Sequence, residues 1–275
     1  MRSRPLGLGV GVFLLSTTSA WALDLTACNA VPAGESGVLQ NDVDCNGGTL
    51  TLAAASSLDL NGFTVTGDVV CAGGSSCRIV SSPSLGGVVG RVGVDKGTIE
   101  NVAIDCDGAD VGVTVARKLR AREVSITGCA AYGIYRQVGA VSVKADSLSV
   151  VGNGVGMELN TGRLKGKDVE VSGNASAGIY AGKVLLDGVT AVGNGGWAVS
   201  AAKRVKVRGG TITGNAAGVV VPLGKATVKD SDVSGNGIDI ASFRPPTVLG
   251  TTCGTSRMIV DIVIQTDSWL ACPGE

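Results

Sequence analysis

Charged side chains recur in this 275-residue sequence at intervals near twenty-one, so residues far apart in the chain share one pattern. One series reads Arg122, Asp146, Lys167, Asp187, Arg208 and Lys229, with Glu100 one interval earlier. Asp146 and Asp187 bracket Lys167, and carboxylates on either side of a cationic group are residue types used to cleave sugar polymers by acid–base chemistry. A second series runs Lys118, Ser142, Arg163, Lys183, Arg204, Lys225, and a third runs Arg120, Lys144, Lys165, Leu185, Lys206, Thr227. Nine of these twelve positions are basic and none is acidic, which is the pattern of a surface that holds a polyanion by charge. The chain has no histidine, which excludes the serine triad and His-ligated zinc hydrolysis.

The elements that carry these residues follow from glycine. The chain holds 43 glycines, more than double the usual share of about 7%, while aromatics are 3%. Gly-Asn pairs stand at Gly152-Asn153, Gly173-Asn174, Gly193-Asn194, Gly214-Asn215 and Gly235-Asn236, with Gly128-Cys129 one unit earlier. Aliphatics alternate between them, and a further Gly followed by an aliphatic comes a few residues later. Period-two alternation within a repeat near twenty-one residues predicts an all-β solenoid of about nine to ten coils built from short parallel strands. Coils stack at about 4.8 Å, so residues one repeat apart lie one above the other. The recurrent Asn can then pass amide hydrogen bonds from coil to coil as a ladder.

Counting back from each ladder residue separates the inside from the outside. Ten and eight positions before it stand Leu119 and Ala121, Val143 and Ala145, Leu164 and Gly166, Val184 and Leu186, Val205 and Val207, Ala226 and Val228. These face the core, so the charged series at eleven, nine and seven before face water. The alternating series from Glu100 to Lys229 predicts a cross-coil ladder of ion pairs, each worth about 0.2 to 1 kcal/mol at a surface. The two basic series stack like charges, a cost the fold does not require and one that a bound polyanion would offset.

The segment Leu58-Asp59-Leu60-Asn61-Gly62-Phe63-Thr64-Val65, followed by repeated V-x-V-x-G-N units, resembles the exported right-handed parallel β-helix proteins, a fold shared by pectate lyases, polygalacturonases and alginate epimerases. The resemblance spans residues 40–241 and implies a uronate chain lying on the face made by the basic strand. It departs from the family in chemistry: there are no paired aspartates within one coil, no histidine and no carboxylate cluster for calcium in the strip. Lysine or arginine serves as the base in such lyases and epimerases, which leaves Lys167, with Asp146 and Asp187, as the catalytic candidates.

The chain ends complete the expectation. Arg2 and Arg4, an apolar run from Leu6 to Leu15 and small residues ending at Ala22 have the layout of a secretory signal over residues 1–22. No later stretch is long and apolar enough to span a bilayer. Without the signal the chain carries 21 basic and 23 acidic side chains, a net charge near −2. Residues 23–66 are expected to form an N-terminal cap and first coil, 67–241 the repeats, and 242–275 a C-terminal cap. Eight cysteines in an exported chain point to disulfides; 105 connectivities are open, and nearness in sequence favours Cys28–Cys45, Cys71–Cys77, Cys106–Cys129 and Cys253–Cys272. Asp105, Asp107 and Asp110 have the spacing of half a calcium loop but also that of an ordinary bend, and no cofactor is expected. Tyr135, Tyr180 and Trp197 read as scattered aromatics outside any site. The basic series lack interleaved aromatics, which argues against nucleic acid. The expected protein is a secreted, periplasmic or cell-surface monomer that binds an acidic polysaccharide through Lys118, Arg120, Lys144, Arg163, Lys165, Lys183, Arg204, Lys206 and Lys225 without catalysis. A polyuronate lyase or epimerase, and a purely structural envelope protein, are the alternatives.

Overall fold

A computed structural model describes residues 22–72, 74 and 76–273, so the expected signal peptide, Ala22 apart, lies outside the described residues. The structure is 66% strand, with no helix among the described residues, and it winds into a parallel β-solenoid of about 10 turns. Strand pairing is parallel from Leu23–Leu25 onward, until Arg257 to Ser268 closes the sheet as an antiparallel pair. A representative coil bends Ser142–Val151 into two strands at Ser147 and adds a third at Val155–Glu158.

Two columns of left-handed backbone make the corners. Gly128, Gly152, Gly173, Gly193, Gly214 and Gly235 have φ between +62° and +72°, a region that costs glycine nothing. The residue after each glycine is the ladder residue. Asn153 Nδ2 donates to Asn174 Oδ1 at 3.2 Å, Asn174 to Asn194 at 2.9 Å, Asn194 to Asn215 at 2.8 Å and Asn215 to Asn236 at 2.9 Å. Each Oδ1 also accepts the backbone N–H of the residue one coil below, beginning with Cys129 N–H to Asn153 at 3.0 Å. The ladder ends on buried Asp239, whose Oδ1 accepts Asn236 Nδ2 at 3.0 Å and whose Oδ2 accepts the N–H groups of Gly254 and Thr255 at 2.6 and 3.1 Å. Asn174 is wholly buried, so its Asn-Ala-Ser triplet serves the ladder.

The second corner runs through Asn101, Glu123, Ser147, Asp168, Gly188, Gly209, Asp230 and Gly250, all with φ between +49° and +75°. Asn and Asp tolerate this region better than other side chains, and the corner therefore gathers polar groups along one edge. Between corners, the inward columns expected from the sequence are buried, with Leu119, Val143, Leu164, Val184, Val205 and Ala226 each at most 1% exposed. One aliphatic core runs from Leu25 to Cys272. Each buried Val or Leu contributes about 1.5–3 kcal/mol of transfer free energy.

All four expected disulfides are present, and no described cysteine is free. Cys106 and Cys129 join adjacent coils at a Cα separation of 4.9 Å, so a covalent bond takes the lower end of the ladder. Parallel register continues past residue 241: Lys225 faces Arg244, Thr227 faces Thr247, and Ile240 faces Ser256. The coils thus run on through residues 242–260, beyond the boundary expected at 241, because Arg244-Pro245-Pro246 lies inside the strand Ile240–Leu249.

Candidate functional site

The first strand of each coil carries the basic columns. Across adjacent coils, Lys96, Lys118, Ser142, Arg163, Lys183, Arg204, Lys225 and Arg244 stand in register. Beside them stand Thr98, Arg120, Lys144, Lys165, Leu185, Lys206, Thr227 and Thr247. All nine basic residues singled out from the sequence are exposed and stacked in these two columns. At about 4.8 Å per coil, the seven steps from Lys96 to Arg244 give a ribbon roughly 34 Å long. Two unit charges at that spacing repel by about 0.9 kcal/mol in bulk water, and salt reduces it further.

The ribbon is contoured rather than flat. A hollow of about 300 Å³ lies among Arg120, Arg122, Lys144 and Asp146, and one of about 390 Å³ among Lys165, Leu185, Asp187, Lys206 and Arg208. A third, of about 540 Å³, is lined by Lys183, Lys203, Arg204, Lys225 and Arg244 with Leu223, and no carboxylate enters it. Around the second corner the charge reverses. A hollow of about 630 Å³ on the neighbouring strand face is lined by Asp168, Glu170, Asp230 and Asp232 and is opened by Gly188, Gly209 and Gly210. The two faces therefore carry opposite charge.

The alternating column is in register as expected, Glu100 facing Arg122, Asp146 facing Arg122 and Lys167, and Asp187 facing Lys167 and Arg208. Its ion pairs differ from the expected ladder. Glu100 bonds Arg78 at 3.0 Å and Arg122 at 3.3 Å, whereas Lys167 turns to Asp168 at 3.7 Å and Arg208 to Asp230 at 3.7 Å. Asp168 follows Lys167 directly in the chain, whereas Asp230 lies one coil away from Arg208, at the corner beside its register partner Lys229. The hydrogen bond from Arg78, with the charges of Arg122 and Arg78, holds the Glu100 carboxyl below its ordinary value. Asp95 is held low in the same way by Arg117, first through their hydrogen bond.

No protein-family model and no curated protein matches this sequence. Among solved structures the chain is similar to full-length tailspike protein 2 from Escherichia coli O157:H7 bacteriophage CAB120, at 11% identity and a TM-score of 0.40. The match covers 74% of this chain and 34% of the tailspike, so the chain spans about a third of that protein's length.

Asp105, Asp107 and Asp110 do not converge: Asp105 Oδ1 accepts the N–H of Asp107 at 3.1 Å across a bend with Asp107 at φ +46°. Among the described residues, no group of three His, Cys, Asp or Glu could hold a metal ion. No described helix is long and apolar enough to cross a membrane.

The sequence count missed several members of the site. Lys96 precedes Lys118 by one interval but lies before the first ladder residue from which positions are counted. Arg244 follows Lys225 by nineteen residues, because the register shifts between them. Tyr135, Tyr180 and Trp197, read as scattered, share one strand face with Tyr132, which was not singled out. Tyr135 and Tyr180 flank Glu158 in register, and ring centroids lie 4.7 Å apart for Tyr132 and Tyr135 and 6.4 Å for Tyr180 and Trp197.

Proposed function

We propose that this protein is exported and binds an acidic polysaccharide, or a surface polymer of similar charge, along the ribbon from Lys118 to Lys225. The observation that carries this reading is the in-register stacking of Lys118, Arg163, Lys183, Arg204 and Lys225 beside Arg120, Lys144, Lys165 and Lys206, with no carboxylate in either column. Evenly spaced anionic groups on a polymer running along the solenoid axis relieve repulsion at each coil they cross. The four disulfides suit an oxidising compartment outside the cytosol. Binding without bond cleavage is favoured because Lys167, the candidate base, is exposed and is engaged by Asp168 at 3.7 Å.

Retention of the protein on immobilised polygalacturonate and alginate tests the reading. Retention is expected to fall steeply as salt rises, and Lys165→Glu combined with Lys206→Glu is expected to abolish it. Retention that is absent, or indifferent to salt, overturns the proposal. The placement of Asp146, Lys167 and Asp187 on adjacent coils favours a second reading, a polyuronate lyase or epimerase. That reading requires new ultraviolet absorbance from unsaturated uronate products, or changed sugar composition by proton NMR.

A further inference from the structure

The third strand of each coil presents a surface of different chemistry. Two of its columns read Tyr132, Val155, Ala177 and Tyr135, Glu158, Tyr180, Ser200 in register, with Ala177 and Ser200 buried, and the Trp197 ring stands 6.4 Å from that of Tyr180. The chain has only three tyrosines, and all three fall in this patch. The two aromatic pairs bracket the small side chains Val155 and Ala177, and Tyr135 and Tyr180 stand one coil below and one coil above Glu158. Three coil steps separate Tyr132 from Trp197, about 14 Å. The solenoid does not need these rings for its core, which is aliphatic, and Trp197 is 42% exposed.

We infer that this patch is a second binding surface, one that takes uncharged sugar rings of a glycan by stacking on Trp197 and the tyrosines with Glu158 accepting from ring hydroxyls. The inference does not rest on the basic ribbon or on its acidic ligand. Aromatic faces present a broad apolar area at low entropic cost and suit the C–H face of a pyranose. A carboxylate between them supplies the polar contacts that fix the orientation of a ring. Arg136 frames the site: Nη1 donates to Gly139 O at 2.7 Å, and Nη2 and Nε stand 2.9 and 3.2 Å from the Asn160 side-chain amide, whose oxygen accepts from both when the amide is turned toward them. An aromatic cage for a quaternary ammonium group is the competing chemistry. It fits less well, because the rings stand as two separate pairs along the face and do not enclose one point; burial pushes the Glu158 carboxyl up, against the opposing pull of Arg136 and the Asn160 N–H. A hydroxyl group is accommodated by either protonation state.

The test uses the full-length chain on an array of uncharged gluco-, galacto-, manno- and N-acetylglucosamine oligosaccharides, at low and at high salt. At least one series is expected to bind with little dependence on salt. Trp197→Ala is expected to weaken it about tenfold, Trp197→Phe to restore most of the loss, and Glu158→Gln to weaken it by a smaller factor. Lys165→Glu with Lys206→Glu is expected to leave it unchanged, which separates this surface from the ribbon. Because Trp197 is exposed, its variants are expected to melt like the parent; if Trp197→Ala does not, the comparison of Trp197→Phe with Glu158→Gln at matched stability decides. Failure of every uncharged oligosaccharide to bind, binding indifferent to these variants, or displacement by tetramethylammonium rather than by free sugar overturns the inference.

Discussion

Replacing Asn194 by alanine removes one rung from the middle of the ladder. Asn194 is 2% exposed. Its Nδ2 donates to Asn215 Oδ1 at 2.8 Å and Val171 O at 2.9 Å, and its Oδ1 accepts the N–H and Nδ2 of Asn174 at 3.2 and 2.9 Å. Four lost bonds at about 1 kcal/mol net each amount to roughly 4 kcal/mol. The loss is moderated because Asn174 Nδ2 keeps Val150 O at 3.2 Å and Asn215 Oδ1 keeps the Asn194 N–H at 2.9 Å. For a chain of this size, that corresponds to a fall in melting temperature of roughly 8 to 16 °C. Asn194→Asp is expected to be worse still, since its second oxygen faces the acceptors on Asn215 and Val171. Equilibrium urea unfolding with the disulfides intact measures both. A loss below about 1 kcal/mol for alanine, or aspartate tolerated better than alanine, would refute the idea that the ladder amides stabilise the stack.

Two further perturbations probe the fold and its charges. Gly156→Ala places a Cβ 2.5 Å from Gly178 O and 3.1 Å from Asn174 Nδ2; the overlap is expected to cost about 1–3 kcal/mol, and an unchanged melting curve refutes it. Glu100 releases its proton at lower pH in the fold than in the unfolded chain, where the ordinary value is 4.5. Its stabilisation is therefore full above that value and is lost as pH falls through the lower, folded value. Removing it with Glu100→Gln is expected to cost about 0.5–1 kcal/mol at neutral pH and to shrink the acid limb of a melting-temperature profile; superimposable profiles refute the pairing.

Much of the architecture was legible because a solenoid converts sequence period directly into spatial neighbours. Gly152-Asn153 and its repeats marked the corners and the ladder, and Leu119 or Val143 in the text became core in space. Lys118 and Lys225 could be placed on one face by counting alone. The counting failed where coils change length. Arg244 was lost to a register shift, and the ladder of ion pairs was drawn through Asp146 and Asp187 although Asp168 and Asp230 lie nearer to the cations they hold.

The aromatic patch marks the same boundary. Tyr132, Tyr135, Tyr180 and Trp197 stand at unequal distances from the ladder residue, so no single column of the sequence contains them, and two columns had to be brought side by side before they formed a surface around Glu158. The sequence by itself determined the all-β coil, its Asn ladder and the face of the basic residues, because each depends on repeat spacing and strand alternation. Only the tertiary structure decided which carboxylate each cation meets, how far the coils extend beyond residue 241, and that the tyrosines converge. Those depend on side-chain reach and corner geometry, which spacing along a chain does not encode.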